Sequence, residues 1–188
     1  MPSRGDTCLG ILAGGQGTRL GGVDKALLVV EDQFLLDRLL HRLGAGFGAV
    51  LVSYNRTPPT TLGWPGPLRF VGDDRAAGEG PLAGLAALLD ACAQDWLLTV
   101  PVDLAAPGAD LVELLLAQPG GAVLHDAEGR QPLVSLWPVT RARAQVREAL
   151  EQGRRAVHPV LEALDLVTAS LSRRLGNINT PEDWQALR

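Results

Sequence analysis

Between Gly10 and Lys25 the chain reads Gly-Ile-Leu-Ala-Gly-Gly-Gln-Gly-Thr-Arg-Leu-Gly-Gly-Val-Asp-Lys, an apolar run that opens directly into a glycine-rich loop carrying two cations. The chemistry this suits is anion binding. Glycine tolerates positive φ and close backbone approach, so successive N–H groups can converge on a phosphate while Arg19 and Lys25 add positive charge. Further along, Val100-Pro101-Val102-Asp103-Leu104 sets one carboxylate just past a second apolar run, where proline ends sheet pairing. Mg2+ characteristically takes one or two protein carboxylates together with phosphate oxygens, which makes Asp103 the candidate metal ligand. The competing readings are ordinary ones: Asp103 as the cap of a following helix or turn, and the loop as a surface turn with two solvated cations.

Spacing separates the known phosphate loops. A P-loop counted from Gly17 to Gly22 meets Val23 and Asp24 where its Lys and hydroxyl belong. The dinucleotide fingerprint started at Gly15 and Gly17 reaches Leu20 at its third glycine, and the stretch from Leu27 to Glu31 that follows reads as a strand rather than a crossover helix.

The segment from Leu12 to Lys25, with its Leu-Ala-Gly-Gly opening and Gly-Gly-x-Asp-Lys ending, closely resembles the signature loop of nucleotidyltransferases, in particular the molybdenum cofactor guanylyltransferase family. The resemblance runs from the first strand to the final helix. It implies that Leu12, Ala13, Gly14, Gly15 and Lys25 contact the nucleotide, and that Asp103 answers the family's Pro-x-Asp element, with Val102 where Cys is common. Gly80-Pro81-Leu82-Ala83-Gly84 is similar to the element beside the guanine pocket, and Asp73 matches the family's nucleotide-contacting acid. Asn55 keeps the second Asn of an Asn-x-Asn-Arg string whose first place here is Ser53; an Asx turn explains it equally well. Near the end, Asn177-Ile178-Asn179-Thr180-Pro181-Glu182 resembles the family's C-terminal motif, which assigns Asn177 and Asn179 to the acceptor side. Gly129-Arg130-Gln131-Pro132 resembles the segment before the acceptor-site strand, with Gln131 where His is common.

The activity so implied is attack by the terminal phosphate of molybdopterin on the α-phosphorus of GTP, giving molybdopterin guanine dinucleotide and pyrophosphate. Arg19, Lys25 and Asp103 would be the catalytic groups, with Mg2+ on Asp103. Cofactor-biosynthesis or molybdoenzyme-maturation proteins are the implied protein partners. Two other readings remain at this stage: a sister transferase using CTP or a sugar phosphate, and a non-catalytic nucleotide-binding module.

These residues need a frame that gathers them. Apolar runs of strand length at Thr7–Ala13, Ala49–Ser53, Leu68–Val71, Trp96–Val100 and Ala122–His125 alternate with helical patterns at Leu35–Leu43, Leu82–Cys92 and Pro107–Gln118. Strands buried on both faces and separated by helices predict an α/β three-layer sandwich with a mostly parallel, Rossmann-like sheet. In such sheets ligands bind at the carboxyl ends of the strands, where Gly14, Asp73 and Asp103 all fall. The back third departs from simple alternation: strands at Gln131–Trp137 and Leu166–Ala169, helices at Val139–Gln152 and Val157–Leu164, and a last helix with Thr180 as N-cap and Pro181 at its first position. A single domain is expected over 1–188, nucleotide-binding up to about residue 120 and acceptor-side from there.

Composition narrows the class. With 188 residues, 46% of them hydrophobic, the chain has enough apolar material for one well-buried core. A net charge of −4 gives no long-range field for nucleic acid or an anionic membrane. No apolar stretch is long enough to span a bilayer, and the first residues lack a secretory signal's apolar core, so a cytoplasmic protein is expected. Cys8 and Cys92, far apart in sequence, and the scattered His41, His125 and His158 read as packing or surface residues.

Overall fold

The computed structural model describes residues 1–14, 23–72 and 80–187. Its frame is a seven-stranded sheet in the order β5-β4-β1-β6-β8-β7-β9: β1 (Thr7–Leu12), β4 (Ala49–Ser53), β5 (Arg69–Val71), β6 (Trp96–Pro101), β7 (Ala122–Asp126), β8 (Gly129–Pro138) and β9 (Val167–Ser170). Pairing is parallel between β1 and both β4 and β6, between β4 and β5, and between β7 and β9; only β8 runs against its neighbours. The expected α/β sandwich with a mostly parallel sheet is the fold observed.

Alternation along the strands distributes side chains to two cores. Leu9 and Ile11 of β1 face one way and pack with Leu36, Leu39 and Leu40 of α1 (Leu35–Leu43) and Leu111, Val112 and Leu115 of α3 (Ala109–Leu116). Cys8 and Leu12 face the other way, toward Leu85 and Leu88 of α2 (Pro81–Ala91), Val146 of α4 (Val139–Glu151) and Leu161 of α5 (His158–Ala163). Each helix contributes a face of its own: α1 repeats leucine at helical spacing, whereas α2 is apolar nearly all round because β-strands and α4 cover it from different sides. The two thiols meet in this second core, where Cys92 alongside it, together with burial, holds the Cys8 thiol far above its usual range.

Of the stretch from Leu27 to Glu31, expected as a strand, only Val29 and Val30 form one. A single 3-10 turn, Lys25–Leu27, leads into a two-residue strand, β2 (Val29–Val30), paired antiparallel with β3 (Gln33–Phe34). Glu31 and Asp32 both hold positive φ, 51° and 63°, which closes a two-residue hairpin without the Asn-Gly that normally announces one. A third small core forms here, Leu28, Val30 and Leu35 closing on Ile178, with Trp184 of the C-terminal helix α6 (Pro181–Gln185) packed beside them. The Trp184 indole N–H also donates to the Val29 carbonyl at 2.8 Å. The hairpin thereby carries the C-terminus back to the mouth of β1.

Candidate active site

The carboxyl ends of β1, β4 and β6 lie side by side, and backbone pairing continues past them: the Ala13 N–H donates to Ser53 O at 3.0 Å and the Val102 N–H to Leu12 O at 3.1 Å. Leu12, Ala13 and Gly14 are thus fixed in the middle of this edge. A Cβ built on Gly14 would lie 3.5 Å from the Asn55 amide nitrogen, so the exposed Asn55 side chain stands over the first glycine of the loop. Gly15 and Arg19 in the loop, and Asp73 after β5, lie outside the described residues.

Past the loop the chain returns to the same edge. Asp24 caps the Lys25–Leu27 turn, its Oδ1 accepting from the Ala26 N–H at 3.0 Å. The Lys25 ammonium then points at Asp103, 2.6 Å from its Oδ2, and at Asn179, 2.9 Å from its Oδ1. Side-chain exposure of the Lys25–Asp103 pair is 16% and 18%, so the two charges sit mostly out of water and depend on each other. Three segments distant in sequence converge on one ammonium group.

Asn179 reaches that point through an antiparallel pairing: Ala106 and Ala105 donate to Leu175 O and Gly176 O, and the Ile178 N–H donates to Asp103 O at 2.8 Å. Ile178 is buried in the hairpin core, and the flanking asparagines turn elsewhere. Asn177 bridges Leu104 through its backbone, and its Oδ1 is buried without a hydrogen-bond partner among the described residues. A capping box holds the end of this segment, with Thr180 Oγ1 accepting from Asp183 N and Asp183 Oδ2 accepting from both Asn179 N and Thr180 N at 2.9 Å. At its start, Leu175 N donates to Asp126 Oδ2 at 2.8 Å, while Asp126 Oδ1 takes bonds from Glu128 N and from the Gln131 side chain. Burial pushes the Asp126 carboxyl up, yet these donors outweigh it and leave its pKa below the ordinary value. Gln131, where the resembled family often has His, is therefore occupied in bracing Asp126.

The departures at Val102 and Ser53 are packing positions. Val102 is 4% exposed within the first core, and Ser53 is 1% exposed. Ser53 lies under α2, where a Cβ on Gly84 would come within 2.8 Å of its Oγ and 3.2 Å of Leu12 Cδ2. Glycine at 84 lets the start of α2 press onto the ends of β1 and β4, which is the structural reason for the second glycine of the Gly-Pro-Leu-Ala-Gly string.

One contributor escapes motif reading. Tyr54, just beyond β4, is 4% exposed and donates its hydroxyl to Asp24 Oδ2. Burial, and then the neighbouring Asp24 carboxylate, push its pKa up to about 12. The available signal was generic: a lone tyrosine at a strand end, with a hydroxyl that must find a partner when buried. Among the described residues no three His, Cys, Asp or Glu side chains cluster as a metal-binding group, and no helix is long and apolar enough to cross a membrane.

Comparison with known proteins bears on the family and the fold. The model of the MobA-like NTP transferase domain matches residues 9–167. A molybdenum cofactor guanylyltransferase of Pseudomonas paraeruginosa is 36% identical over 182 residues, covering 92% of this chain and 89% of its own. Another from Acidiphilium cryptum is 42% identical over 141 residues, covering 73% and 69%. The crystal structure of 2-C-methyl-D-erythritol 4-phosphate cytidylyltransferase from Thermus thermophilus matches with a TM-score of 0.69 at 17% identity, covering 95% of each chain. That last likeness is one of fold alone.

Proposed function

The chain belongs to the MobA-like NTP transferase family and is a nucleotidyltransferase, and from that premise we propose that it transfers GMP from GTP to molybdopterin, releasing pyrophosphate. The observation that carries the reading is the convergence of Lys25, Asp103 and Asn179 at the carboxyl ends of β1 and β6. It joins the end of the phosphate loop, the carboxylate after β6 and the C-terminal Asn-x-Asn segment in one cluster.

In this reading Lys25 leaves Asp103 and Asn179 for the β- and γ-phosphates and stabilises charge on the departing pyrophosphate. Arg19 shares that task, and Leu12, Ala13, Gly14, Gly15, Asn55 and Asp73 contact the nucleotide. Asp103 suits a hard divalent cation: its Oδ2 is engaged only by Lys25, and its other oxygen carries no hydrogen bond among the described residues. Asp103 would hold Mg2+, and the chemistry the ion would supply there is neutralisation of phosphate charge. Asn177 and Asn179 are the residues of the acceptor side, and Asn177 Oδ1 is buried without a hydrogen-bond partner among the described residues. The attacking phosphate has a second pKa of about 6 and is ionised near neutrality, so the site needs no general base. Alignment and charge stabilisation carry the rate.

The test is pyrophosphate release by the purified protein with Mg2+, measured with GTP, CTP, ATP and UTP, each with and without molybdopterin. Release with GTP that depends on molybdopterin is the expected result. Release with CTP instead reassigns the base, and none with any nucleotide in the presence of acceptor overturns the reading.

A further inference from the structure

We infer that Tyr54 is a positioning residue for Lys25, acting through the Asp24 carboxylate. The inference rests on the phosphate-binding role proposed for Lys25 and adds what holds that lysine in place. Lys25 opens a turn of three residues, too short to be rigid by its own hydrogen bonds, which are Leu27 N to Asp24 O at 3.1 Å and Leu28 N to Lys25 O at 3.3 Å. Its ties to the body of the protein are therefore side-chain ties. Two of them, to Asp103 and Asn179, belong to the ammonium itself and must be given up when the ammonium turns to a phosphate.

The Asp24 carboxylate supplies a tie that survives that movement. One oxygen accepts from Ala26 N inside the turn and the other from the Tyr54 hydroxyl, which links the turn to β4. Tyr54 is itself fixed at both ends. Its N–H donates to Val71 O at 2.9 Å, extending the β4–β5 pairing, and its ring packs on Phe70 at a centroid distance of 5.6 Å. Arg56 Nε, 3.9 Å from the same Asp24 oxygen, holds the carboxylate from the solvent side. A residue so placed touches no reacting group; it sets where the Lys25 backbone stands when its side chain is free to bind.

The experiment is a double-mutant cycle read as GTP affinity by calorimetry in the presence of Mg2+, with no acceptor and no turnover. Tyr54→Phe removes one hydroxyl and keeps the ring. The expected result is GTP binding weakened about tenfold in the wild-type background and unchanged in the Lys25→Ala background, since a hydrogen bond to a charged group is worth that order of effect. Equal weakening in both backgrounds would mean that Tyr54 only supports the fold, and that overturns the inference. A second readout uses the fact that the chain has a single tyrosine. With tyrosine labelled at 13Cζ, Asp24→Asn should shift that one resonance, and an unmoved resonance refutes the contact itself. A wild-type protein that binds no GTP, yet shows the expected shift, refutes the GTP reading and leaves the Tyr54–Asp24 tie standing.

Discussion

Lys25 Nζ lies 2.6 Å from Asp103 Oδ2, a pairing that spans 78 residues of sequence and ties the Lys25–Leu27 turn to the carboxyl end of β6. The Asp103 carboxylate and the Lys25 ammonium neutralise each other at that edge. Each group is thus kept in place by the other.

Removing either should spare the fold and stop the reaction. Lys25→Ala and Asp103→Ala are each expected to lower GMP transfer at least a hundredfold, since one well-placed electrostatic group contributes about 3 kcal/mol to the transition state. Lys25→Arg should recover only part of the rate, because a planar fork does not reproduce a compact ammonium bonded to both Asp103 and Asn179. Steady-state pyrophosphate release, with circular dichroism as the fold control, measures all three; near-wild-type turnover in the two alanine variants removes the mechanism.

Much of this site was legible because its chemistry is written in local strings. Gly14 and Asp103 sit just past strand ends that apolar runs announce, and a carboxyl-end edge of a parallel sheet is where such residues collect; Lys25 follows in the Gly-Gly-x-Asp-Lys string. The hairpin at Val29–Phe34 was not legible, since its turn residues are Glu31 and Asp32 rather than Asn and Gly, and tertiary packing under Ile178 and Trp184 sustains a conformation that local preference does not favour. The antiparallel insertion of β8 between β6 and β7 was equally hidden, because a strand's direction depends on which neighbour it meets. Tyr54 and Asp126 act through partners 30 and 49 residues away, and no spacing rule connects residues that far apart.

Asp126 anchors the C-terminal segment, and Asp126→Asn exposes that role. The amide has one acceptor oxygen where the carboxylate has two, so either Leu175 N–H or the Glu128 and Gln131 donors lose their partner. The cost at pH 7 should be about 2 kcal/mol, the order of a buried donor left unsatisfied. The folded-state pKa of Asp126 is depressed, so its contribution is fully present above the unfolded carboxylate value of about 3.9 and is lost as pH falls through the lower folded value. Urea unfolding of both proteins should therefore show a gap at neutral pH that narrows below about pH 4. A gap independent of pH would assign the loss to packing.

Gly84→Ala should destabilise although alanine favours a helix by about 1 kcal/mol. The new methyl would meet Ser53 Oγ at 2.8 Å and Leu12 Cδ2 at 3.2 Å, forcing the start of α2 away from the sheet. Overpacking of this kind costs about 1–3 kcal/mol. Adding Ser53→Ala removes the nearer clash, leaving an ordinary 3.6 Å contact with the Ser53 Cβ and the tighter 3.2 Å contact with Leu12 Cδ2, so the double variant should regain part of the loss. Thermal unfolding of the two variants checks it, and a double variant no more stable than Gly84→Ala alone contradicts the steric account.

The single tyrosine makes the Asp24 contact measurable in the unmodified protein. Burial first, and then the Asp24 carboxylate, raise the Tyr54 pKa to about 12, against about 10 for a free phenol. A phenol whose folded pKa is raised binds its proton more tightly in the native state. Its contribution to stability is therefore complete below about pH 10 and disappears as pH rises through the folded value. Absorbance at 295 nm should follow one ionisation centred near 12 in the wild type. In Asp24→Asn the midpoint should move down only part of the way, because burial is the larger cause and that variant leaves it in place. Full return to the free-phenol value in Asp24→Asn would mean that losing the carboxylate had also exposed the ring, and a midpoint near 10 in the wild type would show that the hydroxyl faces water rather than Asp24.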